Sequence, residues 1–212
     1  MVGPVPPPPD PFYPEQVVLP KKTVLYRVYG AGRDGKRLPT SFNPGFGEPT
    51  RFAFFDDDHG VPVPVLYAGE DLETAVCESI LHHLPATGGT VFPRQYADRI
   101  AAGITTLRPL KLASFRGVGL RHFGLDRHQL TDTDSAWYTD TVKWAEAAWK
   151  AGMDGCVWTS RRLDSGAAYV FFGRASDAFG LSASVAPKVF LNGPDLDWLI
   201  DFCAFINIDV EL

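Results

Sequence analysis

A small set of polar side chains stands at the edges of apolar segments. Arg27 and Arg51 lie in runs that are otherwise apolar and aromatic. An arginine in such surroundings must reach solvent, pair with an acid or hold an anionic ligand, so anion binding is the chemistry that these two positions offer. Tyr67, Glu78 and Ser160 stand at the ends or faces of other apolar segments. Taken singly, each has a simpler structural explanation: Tyr67 as a core tyrosine with its hydroxyl at the rim, Glu78 as a solvated glutamate on a helix face, and Ser160 as a hydroxyl that starts a turn.

Three other patterns suggest ligand sites and are better explained otherwise. Gly30-Ala-Gly-Arg-Asp-Gly35 has the spacing of a dinucleotide-binding loop, but the prolines and glycines that follow break the helix that such a loop must open. Asp56-Asp-Asp-His59 lacks a spaced partner acid and indicates a hydrated turn. His82 and His83 are adjacent, and neighbouring side chains on a helix point about 100° apart, so the pair cannot chelate one metal by itself. The sequence predicts no metal site.

These residues must be positioned by strands and helices that the apolar pattern predicts. Runs rich in β-branched and aromatic residues predict strands at 23–29, 51–55, 63–68, around 90–92, within 104–112, at 155–159 and at 167–172. Apolar residues at helical spacing predict helices from an Asp71 N-cap to about residue 84, over about 134–151 and over about 194–206. The glycine- and proline-rich stretch 30–50 predicts a long loop, which in a compact domain is often a binding loop.

The order of the predicted elements indicates the fold class. Strands outnumber helices and come partly in runs, without the strict alternation of a doubly wound parallel sheet. The sequence therefore predicts an α+β fold with a mixed, partly antiparallel sheet and flanking helices.

Length and composition indicate one domain behind a short leader. The chain has 212 residues, of which 45% are apolar, and this excludes wholesale disorder. Seven of its 18 prolines fall within the first 14 residues. We expect a proline-rich leader over residues 1–20, whose Phe12 and Tyr13 could dock against the domain, and a single domain over residues 21–212.

Charge and cysteine content exclude several classes of protein. A formal charge of −5 and the lack of a basic run argue against direct binding of nucleic acid. No apolar run is long enough to span a membrane, and the N-terminus lacks the pattern of a signal peptide. Three widely spaced cysteines form neither a disulfide framework nor a zinc pattern. A cytoplasmic location is the simplest expectation.

The order of short motifs along the chain resembles the RES domain family, which is named for its Arg, Glu and Ser. The pieces that carry the resemblance span roughly residues 23–175. In chain order they are Leu25-Tyr-Arg-Val28, Thr50-Arg-Phe52, Leu66-Tyr-Ala68, Thr74-Ala-Val-Cys-Glu78, the helix from Tyr138 to Ala145, Asp154-Gly-Cys-Val-Trp-Thr-Ser160-Arg-Arg, and Ala168-Tyr-Val-Phe-Phe-Gly173. The resemblance implies a fold similar to that of ADP-ribosyltransferase toxins.

The resemblance implies that the protein cleaves NAD⁺ at the nicotinamide–ribose bond, with water or phosphate attacking the anomeric carbon. Arg51, supported by Arg27, is assigned to the phosphates, and Glu78 to a ribose hydroxyl and to the positive charge that develops near the anomeric carbon. Ser160 would position the nicotinamide ribose or its amide, and Tyr67 would cap the nicotinamide side. Tyr138 is a further candidate for the pocket wall.

Two alternatives use the same pocket. The chain could be a mono-ADP-ribosyltransferase that modifies a protein, or a catalytically silent module that binds NAD⁺. The resemblance also implies an antitoxin or immunity protein as partner, because unchecked loss of NAD⁺ would poison the host. Phosphate is a possible co-substrate, NAD⁺ enters as the substrate, and neither a membrane nor a bound nucleic acid is expected.

Overall fold

A computed structural model describes residues 5–30, 37–85 and 87–212 of the chain. Most of the glycine pattern that begins at Gly30 lies outside the described residues. The strands are β1 (Gln16–Leu19), β2 (Val24–Gly30), β3 (Val65–Gly69), β4 (Gly89–Val91), β5 (Arg99–Thr106), β6 (Leu110–Ser114), β7 (Gly155–Thr159), β8 (Ala167–Phe172), β9 (Phe179–Leu181), β10 (Lys188–Val189) and β11 (Ile208–Val210). The helices are α1 (Leu72–Cys77), α2 (Pro93–Tyr96), α3 (Val118–His122), α4 (Tyr138–Lys150) and α5 (Gly193–Phe205), with short 3₁₀ turns at Arg127–Gln129, Ser135–Trp137 and Gly173–Ala175.

Nine of the strands form one mixed sheet. Its order is β1-β6-β7-β8-β3-β2-β5-β10, and β9 pairs with β5. All of its neighbouring pairs are antiparallel except β6 and β7, which run parallel and are joined by a crossover that carries α3 and α4. A small parallel pair, β4 with β11, lies apart from this sheet. The predicted α+β class with a mixed, partly antiparallel sheet is confirmed.

Alternation along the central strands divides the core between the two faces of the sheet. In β7, Cys156 and Trp158 belong to the cluster that packs against α4, whereas Val157 belongs to the cluster on the opposite face. The same alternation runs through β8, where Val170 and Phe171 face opposite sides. A third cluster joins α1, α5, β4 and β11. The strands at the centre are buried on both faces, which holds their ends in fixed positions.

Two predicted elements next to the site differ from the structure, and both differences shape the site. Residues 51–55 form no strand: Thr50 and Ala53 hydrogen-bond to each other through their backbones in a tight turn. The segment is apolar because Phe52 and Phe55 are buried in the core, and side chains from other elements take the place of a strand ladder in satisfying part of its backbone. The apolar pattern of this segment therefore reflects burial in the core and not a β-strand.

The predicted helix 71–84 is regular only over α1. Asp71 caps its start, since its carboxylate accepts from Thr74 N at 2.7 Å. After Cys77 the chain continues in irregular turns, and the Ser79 hydroxyl donates to the Ala75 carbonyl at 2.5 Å. A serine that bonds a carbonyl one turn back competes with the regular ladder. Glu78 consequently sits at the C-cap of a short helix instead of midway along a longer one.

The described part of the proline-rich segment contacts the domain at several points. Trp144 on α4 donates its indole N–H to the Pro6 carbonyl at 2.8 Å, and Phe12 stacks on Phe123 with ring centroids 5.1 Å apart. Val5 is buried in the same cluster, and β1 forms an edge of the main sheet by pairing with β6. The division of the chain at residue 20 stays a prediction. No helix among the described residues has both the length and the apolarity to cross a membrane.

Candidate functional site

A cavity of about 850 Å³ opens where the end of α1, the start of α4 and strands β3 and β7 come together. This volume lies within the range of about 300–1,000 Å³ typical of small-molecule sites. The cavity is lined by Glu48, Pro49, Thr50, Arg51, Tyr67, Glu78, Ser79, His82, His83, Asp134, Ser135, Tyr138, Trp158, Arg161 and Arg162. Four of the six residues predicted from the sequence, namely Arg51, Tyr67, Glu78 and Tyr138, are in this wall, and Ser160 contacts it.

Glu78 and Ser160 form a direct pair. The Ser160 hydroxyl donates to Glu78 Oε1 at 2.5 Å, across 82 residues of sequence. The same Ser160 oxygen accepts the backbone N–H groups of Arg162 and Leu163 at 3.1 and 3.0 Å. Ser160 is fully buried, and Glu78 is half-buried at the cavity wall. One carboxylate oxygen is therefore held in place by a hydroxyl that is itself fixed by the turn after β7.

Arg51 is 7% exposed and is held by uncharged oxygens. Its Nη1 donates to the Thr133 hydroxyl at 2.5 Å, and its Nη2 donates to the Thr133 carbonyl at 3.2 Å. The guanidinium also lies over the ring of Tyr138, 5.3 Å from its centroid. Burial lowers the pKa of Arg51, although an arginine remains protonated at neutral pH. The cavity thus contains a rigidly placed positive charge.

Tyr67 on β3 is hydrogen-bonded to both sequence neighbours of Arg51. Its hydroxyl shares a hydrogen bond of 2.8 Å with the Thr50 hydroxyl and accepts the Phe52 N–H at 3.3 Å. Burial raises the pKa of the Tyr67 phenol, so this group stays protonated and able to donate. Its ring packs edge-on against Trp158. The phenol is therefore already engaged in supporting the arginine turn, while the ring contributes to the cavity wall.

The first turns of α4 complete this side of the cavity. Tyr138 begins the helix and is 7% exposed. One turn further on, the buried Thr141 hydroxyl donates to the Arg51 carbonyl at 2.5 Å. The helix therefore supports Arg51 from two directions, through its backbone and through the face of an aromatic ring.

Arg27 is not among the residues that line the cavity. Its Nη1 donates to the carbonyls of Pro39 and Ser41 at 2.7 and 2.6 Å, and only 8% of the residue is exposed. Burial, reinforced by Arg37, lowers its pKa to about 10. The structure places Arg27 beneath the segment that leads toward Arg51, where it holds that segment by carbonyl contacts.

Eleven of the fifteen lining residues were not among those predicted, and four of these shape the charge and hydrogen bonding of the cavity. Arg161 and Arg162 follow Ser160 directly, and their position in that motif was the available signal. Trp158 is 2% exposed, and its indole N–H is buried without a hydrogen-bond partner among the described residues. His82 lies in the irregular stretch after α1, and burial, with further contributions from His83, Arg162 and the other cavity arginines, lowers its pKa to about 4. At neutral pH the His82 imidazole is uncharged.

The charged side chains that line the cavity are equal in number, with Arg51, Arg161 and Arg162 against Glu48, Glu78 and Asp134, but they are unequally paired. Arg161 is neutralised by Asp132, with Nε to Oδ1 at 2.7 Å, and by Asp134, with Nη2 to Oδ1 at 3.2 Å. Arg51 and Arg162 have no ion pair with any acid in the described part of the chain. Within the same part, no group of three or more His, Cys, Asp or Glu side chains is arranged to hold a metal ion. The arrangement suits an anionic ligand with a carboxylate beside it.

The fold and the site define an α+β protein whose Arg, Glu and Ser side chains meet around one cavity. A family model described as RES domain matches residues 24–198. The chain therefore belongs to the RES domain family, as the order of its motifs indicated.

A solved structure shares this fold. The described fold is similar to a chain in the crystal structure of the M. tuberculosis MbcT–MbcA toxin–antitoxin complex, with a TM-score of 0.56 and 16% identity over 80% of this chain and 85% of that chain. No curated protein matches the sequence. At this identity the likeness establishes the architecture.

Proposed function

We propose that this chain is an enzyme that degrades NAD⁺ by cleaving the nicotinamide–ribose bond, through hydrolysis or phosphorolysis. RES domain toxins act on NAD⁺, and the chain is a member of that family. The observation that carries the proposal is the pairing of Glu78 with Ser160 at 2.5 Å on the wall of the cavity that also contains the Arg51 guanidinium.

The Glu78–Ser160 pair suits the charge that develops in this reaction. Nicotinamide leaves as a neutral molecule, so no acid is needed to expel it, and positive charge accumulates at the anomeric carbon of the ribose. A fixed carboxylate beside that carbon stabilises the transition state more than the ground state. In this proposal one Glu78 oxygen is held by Ser160, while the other faces the ribose or orients the attacking water or phosphate.

The rest of the wall suits the dinucleotide. Arg51 binds its phosphates, since guanidinium groups make charge-assisted hydrogen bonds to such oxygens. The rings of Tyr67 and Tyr138 pack against the nicotinamide end. Arg27 is assigned a supporting role, because its carbonyl contacts hold the segment 39–41 in place.

We further propose that the enzyme acts as the toxin of a toxin–antitoxin pair. The structural relative was crystallised as a toxin–antitoxin complex, and an enzyme that consumes NAD⁺ requires an inhibitor in the cell that makes it. The proposed partner is an antitoxin or immunity protein that covers the cavity. The enzyme acts within the cytoplasm, where NAD⁺ is available.

Product analysis tests the reaction. Purified protein is incubated with NAD⁺ labelled in the adenylate half, with and without inorganic phosphate. Nicotinamide with free ADP-ribose indicates hydrolysis, whereas an ADP-ribose 1-phosphate that forms only with phosphate indicates phosphorolysis. Label that remains on a polypeptide would instead support the ADP-ribosyltransferase alternative. Absence of nicotinamide in both buffers would contradict the proposal.

A further inference from the structure

Arg162 is a cavity residue whose cationic group has no partner in the described chain. Its backbone N–H donates to the Ser160 hydroxyl at 3.1 Å, which ties the residue to the Glu78–Ser160 pair. Its side chain is half-buried and lines the cavity. Among the residues that the structure describes, the guanidinium makes no hydrogen bond, and its Nε is buried without a partner. A guanidinium carries five N–H donors, and none of those of Arg162 has an acceptor within the described chain.

The neighbouring arginine shows what a structural role looks like at this position. Arg161 uses its Nε, Nη1 and Nη2 on Asp132, the Thr133 carbonyl and Asp134. Its donors hold the loop before α4, and its charge is balanced by two carboxylates. Two adjacent arginines in one turn thus have opposite environments. Only Arg161 is explained by the fold.

Leaving Arg162 unpaired has an energetic cost that a ligand can remove. A buried donor without an acceptor destabilises the folded chain, and more so when the group is charged. The two cavity cations that lack ion pairs in the described chain are Arg51 and Arg162. Their combined field contributes to keeping His82 uncharged by lowering its pKa. An anion that accepts hydrogen bonds from Arg162 would satisfy its donors and pair with its charge.

We propose that Arg162 is an anion-binding residue of the cavity and that its ligand is a phosphoryl group held beside the Glu78–Ser160 pair. Arginine suits this role because its planar fork can bind two phosphate oxygens at once. The inference rests on the proposed function for its ligand class: the phosphoryl group comes either from the pyrophosphate of the dinucleotide or from free inorganic phosphate.

Calorimetric titrations at constant ionic strength test this assignment without requiring turnover. The probes are ADP-ribose, which carries the pyrophosphate but no nicotinamide, inorganic phosphate, and adenosine, which lacks phosphate. The variants are Arg162→Gln and Arg162→Lys. Arg121→Gln is the matched control, because Arg121 is an exposed arginine that does not line the cavity.

We expect Arg162→Gln to weaken either ADP-ribose or phosphate at least tenfold, with adenosine unchanged and with partial recovery in Arg162→Lys. Loss confined to ADP-ribose identifies the pyrophosphate as the ligand, and loss confined to phosphate identifies the free anion. Affinities for both within twofold of wild type would overturn the proposal, as would a wild-type protein that binds neither. Melting curves confirm folding, and Arg162→Lys provides the test if the glutamine variant is unfolded.

The outcome is separable from that of the proposed function. If the wild-type protein releases no nicotinamide but binds the anion, and Arg162→Gln binds it more weakly, the NAD⁺ reaction is contradicted and the anion site is supported. Nicotinamide release together with unchanged anion affinities in the variant would do the reverse.

Discussion

At the scale of single residues, the site depends on how a small number of polar groups hold one another. Ser160 is connected on three sides: it donates to Glu78 and accepts the backbone N–H groups of Arg162 and Leu163. Hydrogen bonds to a charged group are worth about 1.5–3 kcal/mol. Ser160 is therefore expected to orient the carboxylate as well as to shape the turn.

Replacing Ser160 by alanine should lower kcat more than it raises KM. The lost bond to Glu78 corresponds to a decrease of about 10- to 100-fold in the rate of nicotinamide release. Steady-state kinetics measures the effect. Ser165→Ala, an exposed position in the same loop, is the control and should leave the rate unchanged; equal rates in both variants would show that Ser160 does not orient Glu78.

His82 predicts a pH-dependent stability. Its pKa is about 4 in the folded chain, mainly because of burial, against about 6.5 when unfolded. Between these values the unfolded chain binds more protons, so the free energy of unfolding falls as the pH drops from about 6.5 toward about 4. Urea unfolding of His82→Gln should show a shallower loss over this window than wild type. His59→Gln, at an exposed position, should retain the full loss, and identical slopes for wild type and His82→Gln would refute the assignment.

At the scale of elements, the site is assembled from turns that pack closely on α1 and α4. The loop between β7 and β8, residues 160–166, carries Ser160 and Arg162 and returns against α1 at Gly166. A Cβ at Gly166 would fall well inside van der Waals contact of the Thr74 side chain. Glycine is required here by close approach, and the position of the loop depends on it.

Gly166→Ala should displace this loop. We expect the free energy of unfolding to fall by about 1–3 kcal/mol, as for other overpacked sites, with loss of NAD⁺ turnover because Ser160 moves away from Glu78. Denaturant titration and the activity assay measure both effects. In Gly30→Ala the added atom meets nothing closer than 3.6 Å, so this variant is the comparison, and an alanine at 166 that behaved like it would contradict the close approach.

At the scale of the whole molecule, the proline-rich segment packs against α4, the same helix that begins with Tyr138. Phe12 contacts Phe123 and Trp144, with ring centroids 5.1 and 6.0 Å apart. The adjacent Tyr13 is 71% exposed. The segment therefore contributes to the core beside α4, while none of its described residues lines the cavity.

Phe12→Ala should lower the free energy of unfolding by about 1–3 kcal/mol, less than a fully buried phenylalanine would, because the side chain is only partly buried. The kinetic constants should stay within twofold of wild type. Thermal unfolding measures the difference from Tyr13→Ala, which should be small. A Phe12 variant as stable as the Tyr13 variant would show that the segment does not support the domain.

The sequence predicts an element correctly where the buried residues recur with the spacing of that strand or helix. The bounds of β7 and β8 are confirmed as predicted, because their apolar runs end at residues that favour turns. Residues 51–55 do not form the predicted strand. Their apolar pattern comes from burial of the side chains around a turn, and this pattern looks the same as that of a buried strand. The meeting of Glu78 with Ser160 followed from family motif order, since nothing in the chemistry of either residue indicates a partner 82 positions away. Arg162 could not be distinguished from Arg161 without knowing where the carboxylates lie.

The most direct test of the central claim is the rate of nicotinamide release from NAD⁺ by wild type, Glu78→Gln and Glu73→Gln. Glu73 lies on the same helix but outside the cavity wall, so its variant controls for loss of a nearby carboxylate. We predict release by wild type and by Glu73→Gln, and a decrease of about 100-fold or more in Glu78→Gln, the size expected when a group that stabilises transition-state charge is removed. Release by Glu78→Gln at the wild-type rate, or no release by wild type, would contradict the assignment of this cavity as an NAD⁺-cleaving site.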